Sequence, residues 1–128
     1  MEIAMDNAFK TFRDLIVWQK AMRLVTDVYR ITRKLPKEEQ FGLTSQLRRA
    51  AVSVPSNIAE GYGRNSNQDF IKFLRHANGS LFELQTQLII CLNLEFLNHE
   101  DFQSLEDQTR EVERMNSSLI NAIQNKSK

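Results

Sequence analysis

The chain has 128 residues, 41% apolar and 26% charged, with four glycines, two prolines, one cysteine and a formal net charge of +1. That length accommodates one domain around a single core, and so few glycines and prolines disfavour a many-turned β architecture and point to long helices. The longest apolar run, Leu88 to Leu92, is far short of the roughly 20 residues of a membrane span. The start, with Glu2 and Asp6, has no secretory apolar stretch, and a single cysteine closes no internal disulfide, so a cytoplasmic location is expected.

Four helices are predicted in chain order. The first covers residues 12–34: Trp18, Met22, Val25 and Tyr29 recur at helical spacing beside Val17, Ala21, Leu24, Val28 and Ile31, which makes a broad apolar face. It ends at Leu35-Pro36, because a residue before proline avoids the α region. The second covers residues 43–62, with Leu47, Ala50, Val54, Ile58 and Gly61 on one stripe, and stops at Gly61-Tyr62-Gly63. Pro55 lies inside it. An interior proline removes one backbone hydrogen bond and costs about 3 kcal/mol, yet the stripe keeps its phase across it, so a kink rather than a break is expected.

The third helix starts at Ser66, with Asp69 in a capping-box-like position, and runs to about residue 97. Phe70, Leu74, Ala77, Leu81, Leu84, Leu88 and Cys91 repeat at four-three spacing like a coiled-coil seam. Ile71, Phe82, Ile89 and Phe96 add a second stripe. Asn98 is the expected N-cap of the fourth helix, whose core face reads Phe102, Leu105, Thr109, Val112, Asn116, Leu119 and Ile123. Residues 1–11 and 125–128 read as loosely ordered ends of a single domain over residues 1–128. Short connections make consecutive helices antiparallel, so the fold is all-α: an up-down-up-down four-helix bundle. Helices one and three carry more apolar surface than one bundle interior uses, which points to contact between subunits.

No chemistry is legible. His76 and His99 lack the Glu-x-x-His spacing of a di-iron bundle, and Glu106, Asp107, Glu111 and Glu113 alternate with Arg110 and Arg114 as on a salt-bridged surface. Cys91 sits on the apolar seam with no histidine at helical spacing, and no glycine-rich loop opens a helix. Catalytic, cofactor and metal sites are expected to be absent. Charge is unevenly spread instead: residues 1–75 hold thirteen Lys/Arg against eight Asp/Glu, and residues 76–128 hold four against eight. Two readings follow, either two solvated faces that attract one another or a basic surface that meets a polyanion. Under the second, Lys20, Arg23, Arg30, Arg48, Arg49 and Arg64 would engage phosphates of RNA or DNA. Around the proline, Gln46, Arg49, Ser53, Asn57, Glu60 and Arg64 share one face. Ser53, Pro55, Asn57, Glu60 and Gly61 form its structural motif. Glu60 is placed to pair with Arg64, Ala50, Ala51, Ala59 and Gly61 would let another helix come close, and nearby Ser/Asn groups or water would serve the Ala51 carbonyl freed by Pro55.

The run Arg48 to Arg64, with Arg-Ala-Ala-Val-Ser-Val-Pro-Ser-Asn-Ile-Ala-Glu-Gly at its heart, resembles the four-helix-bundle proteins encoded in intervening sequences of bacterial 23S ribosomal RNA genes. Phe12-Arg13-Asp14-Leu15, Val17-Trp18-Gln19-Lys20-Ala21, Phe73-Leu74 and Gly79-Ser80-Leu81-Phe82-Glu83-Leu84 extend the likeness, while Gln85 stands where an acidic residue is frequent. The resemblance implies an antiparallel bundle that assembles as a ring-like homopentamer. It also implies kinship with accessory proteins of diversity-generating retroelements, basic pentamers that bind nucleic acid and a reverse transcriptase. The expected function is that of a non-catalytic, RNA-associated oligomer; the alternative is a pentameric adaptor that holds a protein partner.

Overall fold

The structure, a computed structural model, describes residues 10–127. Among them are four α-helices and no strand: α1 Ile16–Thr32, α2 Leu43–Tyr62, α3 Asn67–Asn93 and α4 His99–Ser127. Each helix packs on its neighbours in sequence, and α1 also packs on α4, so the four close into a bundle in the order α1-α2-α3-α4. No helix among the described residues is long and apolar enough to cross a membrane. The expected looseness of residues 1–9 and of residue 128 lies outside the described residues, and α4 stays helical through Ser127, past the expected fraying point at residue 125.

The start of the chain corrects one expectation. Residues 12–14 form a 3-10 turn rather than the first turn of α1. Asp14 Oδ2 accepts from the Lys10 and Thr11 amides at 2.7 and 3.1 Å, while Thr11 Oγ1 accepts from the Arg13 amide. These short polar side chains offer the backbone an alternative to helix. Leu15 then turns extended (φ −73°, ψ 124°) and is buried. Gln19 Nε2 donates to the Arg13 carbonyl at 2.8 Å, and Phe12 meets Trp18 edge-on at 5.1 Å. α1 also ends at Thr32 rather than residue 34.

α2 runs unbroken from Leu43 to Tyr62 with Pro55 inside it and buried. Asn57 Nδ2 donates to the carbonyl of Ser53 at 2.8 Å and to Ser53 Oγ at 2.9 Å. The polar group beside the proline thus serves the Ser53 carbonyl, not the Ala51 carbonyl that the proline frees. Gly61 is the point of closest approach to α3: a Cβ there would lie 2.8 Å from Phe73 Cβ and 3.2 Å from the Phe70 carbonyl oxygen.

α3 stops at Asn93, short of residue 97. Leu94 caps it and Glu95 adopts φ 62°. The Phe96 amide returns to the Cys91 carbonyl at 2.8 Å and the Glu95 amide to the Leu92 carbonyl at 3.0 Å, which is a Schellman ending built without glycine. Asn98 Oδ1 accepts from the Asp101 amide at 2.7 Å and so caps α4 as expected.

The core is a single cluster. α3 contributes its whole predicted seam, Phe70 to Cys91, and α2 contributes Leu47, Ala51, Val54 and Ile58. From α1 the core takes Ala21, Leu24, Val28 and Ile31, while Trp18, Met22, Val25 and Tyr29 run along its edge. On α4, Ile120 is buried and Leu119 only partly so.

Candidate interaction surface

The six basic residues singled out in the sequence do not converge. Lys20, Arg23 and Arg30 lie on α1, where Lys20 Nζ sits 3.6 Å from Glu111 Oε2 of α4 and Arg30 pairs with Asp27 at 2.9 Å. Lys34 adds a 2.7 Å pair with Asp101, and Gln108 Nε2 donates to Asp27 Oδ2 at 2.9 Å. Burial pushes the Asp27 carboxyl up, but hydrogen bonds from Arg30 and Gln108 and the charges of Arg30 and Arg23 outweigh it, so the group is held below 3.8. Lys20 on α1 and Lys34 just beyond its end therefore meet carboxylates of α4 within one subunit.

Arg48 is turned into the fold. Its Nε donates to Thr32 Oγ1 at 3.0 Å, Nη2 donates to the Tyr29 carbonyl at 3.3 Å, and the guanidinium lies 4.5 Å above the Tyr29 ring. These contacts clamp α1 to α2. Arg64 forms the expected bond to Glu60, at 2.8 Å, and also stacks on Phe73 at 4.7 Å. The stacking partner was not legible in the sequence, because it comes from the next helix. Arg23 and Arg49 alone of the six make no side-chain hydrogen bond or ion pair among the described residues.

Arg49 lines a cleft of about 400 Å³ between α2 and α3, together with Gln46, Ala50, Ser53, Ser80 and Glu83. Ser53 Oγ and Ser80 Oγ are 2.8 Å apart across it. With Asn57 already donating to Ser53 Oγ, one of the two hydroxyl protons makes the Ser–Ser bond and the other stays available in the cleft. The polar face of the motif thus bonds α2 to α3 and leaves an open polar slot beside that bond.

Among the described residues, five of the nine exposed large apolar side chains fall on two opposite sides of the bundle. Met22 (41% exposed), Tyr29 and Val52 (41%) occupy the α1–α2 side, as the Arg48–Tyr29 stack shows. Phe82 (54%) and Ile89 (45%) lie on α3 four and eleven residues beyond Asn78, a spacing that keeps one face. Asn78 Nδ2 donates to Ser117 Oγ of α4 at 3.2 Å, and this places that stripe on the α3–α4 side. Behind it Asn116 Nδ2 donates to the Leu74 carbonyl at 2.7 Å and to Asn78 Oδ1 at 2.9 Å, a buried polar link between α3 and α4.

A model of the 23S rRNA-intervening sequence protein family matches residues 13–118. The chain belongs to that family. Among solved structures, a protein of unknown function from the S23 ribosomal protein family of Bacteroides thetaiotaomicron has the same fold, with a TM-score of 0.75 at 22% identity over 82% of this chain and 98% of that one. No curated protein matches it. In this intervening-sequence protein the run from Arg48 to Arg64 has a structural account at most positions: Arg48 clamps α1, Ser53 bonds α3, Asn57 serves a carbonyl beside Pro55, Glu60 holds Arg64 and Gly61 admits Phe73. Among the described residues no group of three or more His, Cys, Asp or Glu could hold a metal ion. Cys91 is buried, with its thiol pushed up to about 11 by burial and by the charge of Glu39.

Proposed function

We propose that this intervening-sequence protein is a non-catalytic cytoplasmic building block that assembles head to tail into a closed ring. One observation carries the reading: two different apolar stripes, Met22–Tyr29–Val52 and Phe82–Ile89, stand on opposite sides of the bundle. A two-fold contact joins like to like, whereas unlike patches on different sides form a heterologous contact that repeats head to tail and gives a ring when its rotation closes. The ring-forming kinship seen in the sequence makes five the expected count. Light scattering should then give about 75 kDa for chains of 14.9 kDa. Met22→Asp and Phe82→Asp should each lower the mass to one chain, because a charge would be buried in an apolar contact. Mixing the two variants should restore a dimer, since each retains the face the other lacks. A dimer formed by either variant alone, or an undiminished mass in both, would refute the head-to-tail reading.

A second reading adds RNA. Neither Arg23 nor Arg49 makes an ion pair among the described residues, Arg23 acting on Asp27 only at longer range, and symmetric assembly would repeat both around an axis. Such contacts hold phosphates and tolerate any sequence. Arg23→Glu with Arg49→Glu should abolish binding of single-stranded RNA while leaving the assembled mass intact; RNA binding that survives this pair of changes would remove the reading.

A further inference from the structure

The α2–α3 side of the bundle belongs to neither apolar stripe, and it changes character along its length. The antiparallel bond between Ser53 and Ser80 sets the start of α2 against the end of α3. Glu39, just before α2, accepts from the Leu43 amide at 3.2 Å and so stands at the start of that helix. The polar cleft lies mid-way, at Arg49 and Glu83. Four residues beyond Glu83, on the same face of α3, comes Gln87. It is only 6% exposed, and its Oε1 has no hydrogen-bond donor. A buried carbonyl oxygen left without a donor is costly.

Three and seven residues further along that face stand Ile90 and Leu94, 41% and 53% exposed. Phe41, in the turn before α2, is 90% exposed at the same pole. Glu38 stands three residues before Phe41 and Glu95 next to Leu94, both exposed and without an ion pair among the described residues; Arg33 and Lys37 are the cations of the α1–α2 turn that make no ion pair among them. The side therefore offers, in order, a polar slot, an orphaned acceptor, and an apolar platform with the carboxylates of Glu38 and Glu95 beside it.

We propose that this groove docks an amphipathic helix of another protein that carries basic residues beside its apolar face. The apolar residues of the guest cover Phe41, Ile90 and Leu94, and its Lys or Arg side chains meet Glu38 and Glu95. This is a helix-in-groove contact, with charge setting the choice of partner. It goes beyond the assembly reading, because the groove stays open when both lateral stripes are filled. A ring would repeat it at one pole and add avidity for a multivalent partner.

The test uses the full assembled chain and two labelled synthetic helical peptides, one of Leu and Lys at helical spacing and its counterpart of Leu and Glu, read by fluorescence anisotropy. The Leu/Lys peptide should bind at least about tenfold more tightly than the Leu/Glu peptide. Phe41→Asp with Leu94→Asp should weaken it by about tenfold or more, the scale of losing central anchors. Glu38→Lys with Glu95→Lys should reverse the preference between the peptides, and that variant keeps the apolar platform intact. All these side chains are exposed, so circular dichroism and assembled mass should not change. Equal affinity for the two peptides, indifference to both pairs of changes, or displacement of the bound peptide by a single-stranded RNA oligonucleotide overturns the proposal. A fall in assembled mass with the Phe41 and Leu94 changes also overturns it, because the groove would then be a contact between copies.

Discussion

Two glycines in this chain should respond to the same substitution with opposite signs. Gly61 is buried in α2, where an added Cβ would lie 2.8 Å from Phe73 Cβ, 3.0 Å from Phe70 Cδ1 and 3.2 Å from the Phe70 carbonyl oxygen. Two of those three atoms are part of, or fixed directly to, the α3 backbone, so a rotamer change does not remove the overlap. Alanine would gain about 1 kcal/mol of helix propensity but would force the two helices apart, and overpacking of this kind costs roughly 1–3 kcal/mol or more. Because the obstructing atoms are anchored, the upper part of that range applies, and the net loss for Gly61→Ala is about 1–2 kcal/mol. For a domain of this size that is a fall in Tm of about 4–8 °C. Gly79 lies in α3 with nothing within 4 Å of the position its Cβ would take, so Gly79→Ala should gain up to about 1 kcal/mol from propensity alone. Urea titrations of both variants and the parent, at one fixed protein concentration because assembly adds to apparent stability, measure the pair. A Gly61→Ala variant as stable as the parent would mean that α2 and α3 are not held at this separation.

Glu95→Gly should raise stability by about 0.5–1 kcal/mol, since it relieves a left-handed residue that has a Cβ, less the entropy a glycine loses on folding; thermal melts at matched concentration check it, and a loss would mean that the Glu95 side chain contributes more than its conformation costs. The carboxyl of Asp27 is held below 3.8 in the folded chain, so its contribution is complete above that value and disappears as pH falls through the lowered one. The stability gap between the parent and Asp27→Asn, followed by urea titration, should therefore be full at pH 6 and close as pH approaches 2; a gap that is constant with pH would show that the charge is not what stabilises.

The bundle was legible because its seams are periodic. Phe70 to Cys91 repeat at four-three spacing and every one of those positions is buried, and Ser66 and Asn98 cap the helices they precede. The ends of α1 and α3 were not legible, for local reasons. Thr11 and Asp14 divert the first turn into a 3-10 form, and Glu95 ends α3 in a conformation that usually advertises itself with glycine. Side-chain partners across helices were the harder part. That Arg48 folds back over Tyr29 while its neighbour Arg49 faces an open cleft depends on one residue of helical phase relative to α1. A count of arginines in a single run does not contain that phase.

The same distinction decides how much electrostatic attraction the assembled protein has left for a polyanion. Residues 1–75 carry a formal excess of five positive charges, but Lys20 and Lys34 pair with Glu111 and Asp101 on α4, Arg30 pairs within α1, and Arg64, just past the end of α2, pairs back to Glu60. Exposed pairs of this sort add little to stability, about 0–1 kcal/mol each, yet they lower the field that reaches solvent, because each cation already has its counter-charge within 4 Å. If only Arg23 and Arg49 neutralise phosphates, the slope of log affinity against log salt on single strands should be about −1.4 for each chain engaged, not the roughly −4 that all six candidate cations would give. A slope near the larger value would mean that RNA draws Lys20, Arg30, Arg48 and Arg64 away from Glu111, Asp27, Thr32 and Glu60 as it binds; the smaller one leaves those contacts in place and the bundle closed.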